Sequence, residues 1–135
     1  MKQFPKANNK SDTSAQVEIQ MHNLIRNHST EEDRQDICML MDSVEDKKDL
    51  WLIYELCEGK TMNEHMFDVR GEFFKGERIY MVHHGSFYHC LRNNIDLLKE
   101  FVYRVVCGLS LLSRLSIVHA DLKPDNILVD FDPET

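Results

Sequence analysis

The chain has 135 residues and a formal net charge of −7, with 23 acidic and 16 basic side chains. That length suits one modest domain, and an acidic chain without a run of Lys and Arg is unlike a nucleic-acid or anionic-membrane surface. The first twenty residues are polar and lack an apolar signal core. The most apolar stretch, Val105 to Val118, is too short for a transmembrane helix and contains Arg114.

The chain contains four cysteines, and no two of them form a C-x-x-C pair. Such spacing favours reduced thiols over a disulfide framework, so it predicts a protein of the cytoplasm or nucleus. The cysteines are Cys38, Cys57, Cys90 and Cys107.

A helix is the first predicted element. The segment Thr13-Ser14-Ala15-Gln16 has the hydroxyl-to-Gln spacing of a capping box. Four apolar residues then fall on one helical face, namely Val17, Met21, Leu24 and Ile25. Before this helix, residues 1–12 are polar and irregular.

Two strands are predicted next, after an acidic, solvated link over residues 30–36. The segments 37–44 and 50–56 are rich in apolar residues, and the polar segment 45–49 between them is typical of a hairpin turn.

The middle of the chain predicts a second hairpin, from Val69 to Val82 about Lys75-Gly76. Aromatic residues are concentrated in and after it, at Phe73, Phe74, Tyr80, Phe87 and Tyr88. They predict either a docking surface for a protein partner or simple packing of this segment onto the rest of the domain. The neighbouring His83, His84, His89 and Cys90 lack the ligand spacing of a zinc site.

A long helix is predicted to follow, with Asn94 as its cap. Its apolar stripe contains Leu98, Phe101, Val102, Val105, Leu109 and Leu112, and charged residues lie opposite. We expect a buried structural helix whose outer part faces water. Ile117-Val118 is then predicted to form a short strand.

The most informative motif comes directly after that segment. Residues 119–126 read His-Ala-Asp-Leu-Lys-Pro-Asp-Asn, and the apolar run Ile127-Leu128-Val129 follows. The string resembles the catalytic loop of eukaryotic protein kinases, H-R-D-L-K-P-x-N. It departs from that pattern at Ala120, where most of the family has an Arg that pairs with a phosphate on the activation loop. The alternative interpretation is an ordinary polar turn before a strand.

The resemblance implies a role for each polar residue of the motif. Asp121 would accept the proton of the substrate hydroxyl, and Lys123 would reach the transferring phosphate, as in the serine/threonine-directed members. Asn126 would help to hold Mg²⁺. Leu128 matches the apolar residue under the adenine ring of ATP, and His119 would support the loop from below.

The same resemblance implies an ATP site from earlier residues. Glu18 would pair with a strand Lys, for which Lys2 is the candidate, sixteen residues earlier. Tyr54 would be the gatekeeper of the nucleotide pocket. Residues 55–59 would be the hinge, in which backbone groups of Glu55 and Cys57 bind adenine. The alternatives are a solvent-facing Glu18, a solvated terminal Lys2 and a plain edge strand.

The predicted fold is therefore α+β, an incomplete two-lobe protein kinase fold. It would comprise a small-lobe remnant (residues 1–54), a hinge (55–59), and an insertion with the start of the large lobe (60–135). Between hinge and catalytic loop the chain has roughly twenty residues more than the family pattern, a length that indicates an inserted structural element. The chain contains no G-x-G, the pattern of the family's glycine-rich phosphate loop. Asp130-Phe131-Asp132 resembles the family's magnesium-binding D-F-G motif, but it begins only four residues after Asn126 and ends in Asp instead of Gly.

Two functions follow from these expectations. The first is a fragment of an ATP- and Mg²⁺-dependent kinase that phosphorylates serine or threonine in a protein substrate, with Asp121 as the base. The second is a non-catalytic kinase-like binding fragment or pseudokinase remnant, whose protein partner would dock on the insertion at residues 66–90 or on the exposed part of the long helix. Neither interpretation calls for nucleic acid or a membrane.

Overall fold

The computed structural model describes residues 1–6 and 13–132. The chain divides into two compact units. The first contains Met1–Leu56 and Arg104–His119, and the second contains Cys57–Tyr103 and Ala120–Thr135. Helices and strands alternate through both units, so the α+β class predicted from the sequence is confirmed.

The first unit is built on a three-stranded antiparallel sheet. Its strands are β1 (Lys2–Pro5), β2 (Leu40–Glu45) and β3 (Asp49–Tyr54), in the spatial order β1-β3-β2. The predicted strand pair and its polar turn are confirmed. In that turn, the Asp46 carboxylate accepts hydrogen bonds from the backbone N–H of Lys48 and of Asp49, at 2.7 and 2.8 Å. These two bonds hold the pKa of Asp46 below its usual value.

Helix α1 (Thr13–Asn27) covers one face of this sheet. Ala15 is fully buried with Leu40, Leu50 and Leu52, and Ile19 packs against the same cluster. The predicted helical face is wrong at Val17, which is 48% exposed. The small Ala15 lets the helix approach the sheet closely, so the buried face is turned toward residues 15 and 19. The predicted capping box at Thr13 lies at the edge of the described residues and stays a prediction.

A second cluster in the same unit joins the end of α1 to the end of the long helix α4 (Ile95–Arg114). Its buried members are Ile25, Met39 and Leu111. The predicted apolar stripe of α4 is confirmed at its half-buried residues. The prediction is wrong at Val102, which is exposed, and it did not include Leu111, which is buried. The predicted strand at Ile117-Val118 is also wrong, because this segment is irregular and Ile117 packs against the cluster instead.

The second unit contains short elements around an aromatic centre. They are β4 (Lys60–Thr61), α2 (Met62–Met66), β5 (Phe67–Phe74), β6 (Glu77–His84), α3 (Ser86–Asn93), the first part of α4, and β7 (Leu128–Val129). The buried ring of Phe87 lies at its centre, with ring centroids 5.5 Å from Phe101 and 4.9 Å from Phe131. The predicted cap of α4 is confirmed, since Asn94 Oδ1 accepts hydrogen bonds from the backbone N–H of Asp96 and Leu97, both at 3.1 Å.

The predicted second hairpin is confirmed as β5 and β6, which pair antiparallel over their whole length. Lys75 and Gly76 form its turn with φ of 50° and 81°, the left-handed values of a type I′ turn. The hairpin lies between α2 and α3, at the predicted insertion. Every residue of its two strands is exposed.

Candidate active site

The catalytic-loop motif folds into a compact turn in the second unit. A short 3₁₀ turn spans Pro124–Asn126, and its first position is occupied by proline, whose fixed φ suits a helical start. The Asn126 side-chain nitrogen donates hydrogen bonds to Asp121, to the backbone oxygen at 2.8 Å and to Oδ2 at 3.0 Å. Lys123 Nζ lies 3.3 Å from the same Asp121 Oδ2. The structure thus brings together the three polar residues that the motif singled out.

The charged side chains of this turn are accessible to solvent. The side chains of Asp121 and Lys123 are 68% and 48% exposed. Because Asn126 uses its amide nitrogen on Asp121, its carbonyl oxygen remains as a hard oxygen donor of the kind that Mg²⁺ accepts. The donor chemistry of the loop therefore fits the metal that the resemblance implies. Within residues 1–6 and 13–132, no cluster of three His, Cys, Asp or Glu side chains forms a separate metal site.

The strand that follows the loop pairs with the segment that follows the predicted hinge. β7 pairs antiparallel with β4, with Leu128 opposite Thr61 and Val129 opposite Lys60. Gly59 lies so close to the backbone of Val129 that a β-carbon there would overlap it. Leu128 is 47% exposed, as a residue that contacts a ligand must be, and Cys57 is an exposed free thiol.

In the first unit, Lys2 and Glu18 form the ion pair that the resemblance implied. Lys2 Nζ lies 2.8 Å from Glu18 Oε1, and β1 carries Lys2 to this position by pairing it with Leu52 of β3. The side chains are 57% and 26% exposed, so the pair alone contributes only about 0–1 kcal/mol to stability. The main consequence of the pair is that it fixes the position of the Lys2 ammonium group.

Tyr54 completes this cluster, in a way that the sequence did not reveal. Its hydroxyl donates a hydrogen bond to Glu18 Oε1, the same oxygen that Lys2 contacts. The Lys2 ammonium lies 5.5 Å from the centroid of the Tyr54 ring. Tyr54 is therefore in contact with both members of the ion pair, and Glu18 is held from two sides.

His22 also belongs to the cluster of Lys2, Glu18 and Tyr54, and it was not predicted from the sequence. It follows Glu18 by one helical turn, and its ring stands edge-on to that of Tyr54 with centroids 5.6 Å apart. Nδ1 accepts a hydrogen bond from the backbone N–H of Leu40 at 3.1 Å, so this nitrogen is unprotonated. Burial lowers the pKa of His22 below its ordinary value of 6.5. The one available signal was the i, i+4 spacing from Glu18.

Glu55, at the start of the predicted hinge, is already engaged. Its backbone N–H donates to Met39 O at 2.9 Å, and its carboxylate accepts from Met39 N–H at 3.0 Å. Its backbone oxygen accepts a hydrogen bond from Cys38 Sγ at 3.5 Å. The side chain of Glu55 is thus a structural brace and its backbone N–H is engaged as well, so only its backbone oxygen, which has a second lone pair, could accept a further hydrogen bond from a nucleotide.

Phe131, in the segment Asp130-Phe131-Asp132, has a structural role. Its ring lies 4.9 Å from Phe87 and 5.8 Å from His65, centroid to centroid. It anchors the segment after β7 to the aromatic centre of the second unit. The single signal in the sequence was an aromatic residue in an otherwise polar stretch.

Comparison with known proteins identifies the family. The protein kinase domain family matches residues 1–134. Sperm motility kinase 2B of Mus musculus is 30% identical over 100 residues, which cover 74% of this chain and 16% of that protein. Mitogen-activated protein kinase spm1 of Schizosaccharomyces pombe is 42% identical over 36 residues, 27% of this chain and 8% of that protein.

A third relative matches a shorter segment of the chain. MAP kinase kinase kinase mkh1 of Schizosaccharomyces pombe is 50% identical over 52 residues, 36% of this chain and 5% of that protein. The chain thus spans at most 16% of the length of these relatives. No solved structure matches it significantly. Since the family covers nearly every residue, this chain belongs to the protein kinase domain family.

Proposed function

We propose that this chain is part of an ATP- and Mg²⁺-dependent kinase that phosphorylates serine or threonine hydroxyls of a protein substrate. The observation that supports it best is the contact of Asn126 and Lys123 with the carboxylate of Asp121. These contacts hold together the carboxylate, the ammonium group and the carboxamide that phosphoryl transfer needs. The Lys at position 123 favours serine or threonine over tyrosine as the acceptor.

In this proposal each residue has a defined task. Asp121 orients the substrate hydroxyl and receives its proton as the bond from oxygen to the γ-phosphorus forms and the bond to the β-phosphate oxygen breaks. Lys123 offsets negative charge on the transferring group, and Asn126 keeps the Asp121 carboxylate in place. Bound Mg²⁺ would neutralise the phosphates, and Asn126 would supply an oxygen to it.

The remaining proposed contacts concern ATP. Lys2 meets the nucleotide phosphates, held by Glu18, and Tyr54 is the gatekeeper. The backbones of Glu55 and Cys57 hydrogen-bond adenine, and Leu128 packs under the ring. The ion pair at 2.8 Å supports this assignment, because kinase catalysis requires such a pair to be formed.

We also propose a location in the cytoplasm or nucleus. All four cysteines are free thiols, as expected for a reducing compartment. In the part of the chain that the structure describes, none of the helices has the length and apolar character needed to cross a bilayer.

The test combines ligand binding with phosphoryl transfer. We expect ATP with Mg²⁺ to raise the melting temperature, since a ligand at 100 times its Kd stabilises by about 2.7 kcal/mol. Phosphate transfer to a serine/threonine peptide library should be abolished in Asp121→Asn. The matched control is Asp125→Asn, an exposed carboxylate in the same turn, which should retain transfer. Transfer that survives in Asp121→Asn, or no thermal response to ATP with Mg²⁺, would contradict the proposal.

A non-catalytic binding function is the second candidate. The exposed hairpin β5–β6 favours it, since catalysis does not need that hairpin, and Ala120 removes the usual link to activation-loop phosphorylation. A binding fragment of this kind would show no thermal response to nucleotide and would still engage a protein partner.

A further inference from the structure

The register of the β5–β6 hairpin divides its side chains into two unlike faces. Residues directly opposite each other share a face, and faces alternate along each strand. One face, called here the apolar face, contains Phe67, Val69, Gly71, Phe73, Arg78, Tyr80, Val82 and His84. The other, the charged face, contains Asp68, Arg70, Glu72, Phe74, Glu77, Ile79, Met81 and His83. The acidic residues of the hairpin are therefore all on the charged face.

The apolar face is open to solvent. Its large apolar side chains range in exposure from 38% at Phe67 to 79% at Phe73, with Val69, Tyr80 and Val82 near 60%. A lone two-stranded hairpin is marginally stable in water, and exposed apolar patches on natural proteins commonly mark interaction sites. This face is therefore a candidate for covering by another molecule.

The arrangement of Arg78 indicates what that molecule carries. Arg78 makes no ion pair with any residue of 1–6 or 13–132, whereas Arg70 on the charged face pairs with Asp68 at 2.9 Å. The Arg78 guanidinium lies 5.4 Å from the centroid of the Tyr80 ring. Gly71 is next to both side chains, and a β-carbon there would come within 3.2 Å of Arg78 Nε. The glycine thus leaves room for the guanidinium beside the ring, and the guanidinium donates no hydrogen bond to the described part of the chain.

We propose that the apolar face binds an extended protein segment that carries apolar side chains and one carboxylate, which pairs with Arg78. Apolar side chains would pack on Val69, Tyr80 and Val82. The carboxylate would pair with a guanidinium already oriented by Tyr80, which strengthens a charge-assisted contact. The inference deepens the second proposed function and does not depend on phosphoryl transfer.

Charge argues against a second copy of this hairpin as the occupant. The apolar face has one permanent cation and no carboxylate, so a second apolar face would bring another Arg78 and no acid to pair with either. The carboxylate that pairs with Arg78 must therefore come from a surface other than this face.

The test uses short synthetic peptides of alternating Val and Thr with one central Glu, labelled for fluorescence anisotropy. Peptides with Gln or Lys in place of that Glu serve as comparison probes. We expect the Glu peptide to bind the wild-type chain at least 10-fold more tightly than the Gln peptide. Arg78→Glu should lose at least 10-fold for the Glu peptide and now prefer the Lys peptide.

The matched control is Arg70→Glu, which reverses a charge at another exposed position of the hairpin, on the charged face, and should leave binding unchanged. Tyr80→Ser should weaken binding of all three peptides. If Arg70→Glu and Arg78→Glu have equal effects, or if wild type does not distinguish the Glu and Gln peptides, the proposal is overturned. The peptide comparison in the wild-type protein stands even if a variant folds poorly.

Sedimentation of the unliganded chain tests the other occupant. Self-association that Tyr80→Ser abolishes would identify a second copy and overturn the proposal. Because peptide binding is measured without nucleotide, a kinase assay that fails leaves this result intact, and a peptide assay that fails leaves the kinase proposal intact.

Discussion

The two hairpins of this chain differ in what covers them. Both β2–β3 and β5–β6 are antiparallel pairs with a tight polar turn, yet Leu50 and Leu52 of the first are 2% and 0% exposed while every residue of the second is exposed. Helix α1 packs on the first, whereas the second is contacted at its base, where the Tyr88 ring stacks on His84 with centroids 3.9 Å apart, and it has no buried residue. A hairpin becomes part of a core when another element packs on its apolar face.

This difference also separates two kinds of role. The β2–β3 pair carries Tyr54 into contact with Glu18, so it supports the proposed nucleotide site. The β5–β6 pair lies outside both apolar cores and is available to a partner. We therefore expect changes in the first hairpin to affect global stability and changes in the second to remain local.

The largest expected effect comes from Leu52→Ala. It removes a fully buried side chain from β3 and should lower the free energy of unfolding by about 2–5 kcal/mol. Val82→Ala in β6 is the control, because Val82 is 62% exposed and should change stability by no more than about 0.5 kcal/mol. Urea denaturation followed by Trp51 fluorescence measures both, and equal losses would contradict the comparison.

Tyr54→Phe should produce the next effect. It deletes the hydroxyl that donates to Glu18 and keeps the ring, so we expect a loss of about 1.5–3 kcal/mol, as for hydrogen bonds to charged groups. Lys2→Met removes the other contact with Glu18 and should cost no more than about 1 kcal/mol, because Lys2 is largely exposed. Thermal unfolding of both variants tests the order, and a larger loss in Lys2→Met would reverse it.

Gly76→Ala tests the turn of the second hairpin. Gly76 has φ of 81°, and an L-residue in this region costs about 1–2 kcal/mol. The loss should appear as faster amide hydrogen exchange in residues 67–84 alone. If exchange also accelerates in residues 40–54, then the two hairpins unfold together and are not independent.

The smallest effect concerns pH and the first hairpin. Burial chiefly lowers the pKa of His22 below 6.5, and the facing charges of Glu18 and Glu55 oppose this while those of Lys2 and Arg26 add to it. A lowered pKa means that the unfolded chain binds the proton more readily. The contribution of neutral His22 to the free energy of unfolding should therefore be fully present above pH 6.5. It should decline as the pH falls from 6.5 through the lowered pKa of His22 in the folded protein. His22→Gln should flatten this part of the stability profile, and an unchanged slope would exclude His22 as the cause.

Local signals carried much of the fold. Both hairpins were predictable from their apolar residues and turn residues. The cap at Asn94 and the catalytic-loop motif were predictable as well, because each depends on neighbours within a few residues. The capping box of α2, in which Thr61 and Glu64 bond each other reciprocally, was equally visible as T-x-x-E but was missed. The paired contact of Lys2 with Glu18 could be anticipated only through the family resemblance.

Two of the errors concern which face of a helix is buried. Val17 and Val102 are apolar and correctly spaced, yet both are exposed, while Ala15 and Leu111 are buried. A helical period allows several faces, and the choice among them depends on the partner that packs there. The same reason explains why Phe87, predicted as one aromatic cluster with Phe73, lies in the core of the second unit while Phe73 is exposed.

By itself the sequence determined the family, the two longest helices, the two hairpins and the three polar residues of the catalytic-loop motif, since these depend on residue type and short-range spacing. It did not predict the short elements β1, β4, α2 and α3. The tertiary structure alone decided that Tyr54 and His22 join the Lys2–Glu18 pair, and that Arg78 stands on an apolar face without an acid. Those contacts join residues that are distant in sequence, or depend on the register of two strands. They arise from how the elements pack, which no local pattern specifies.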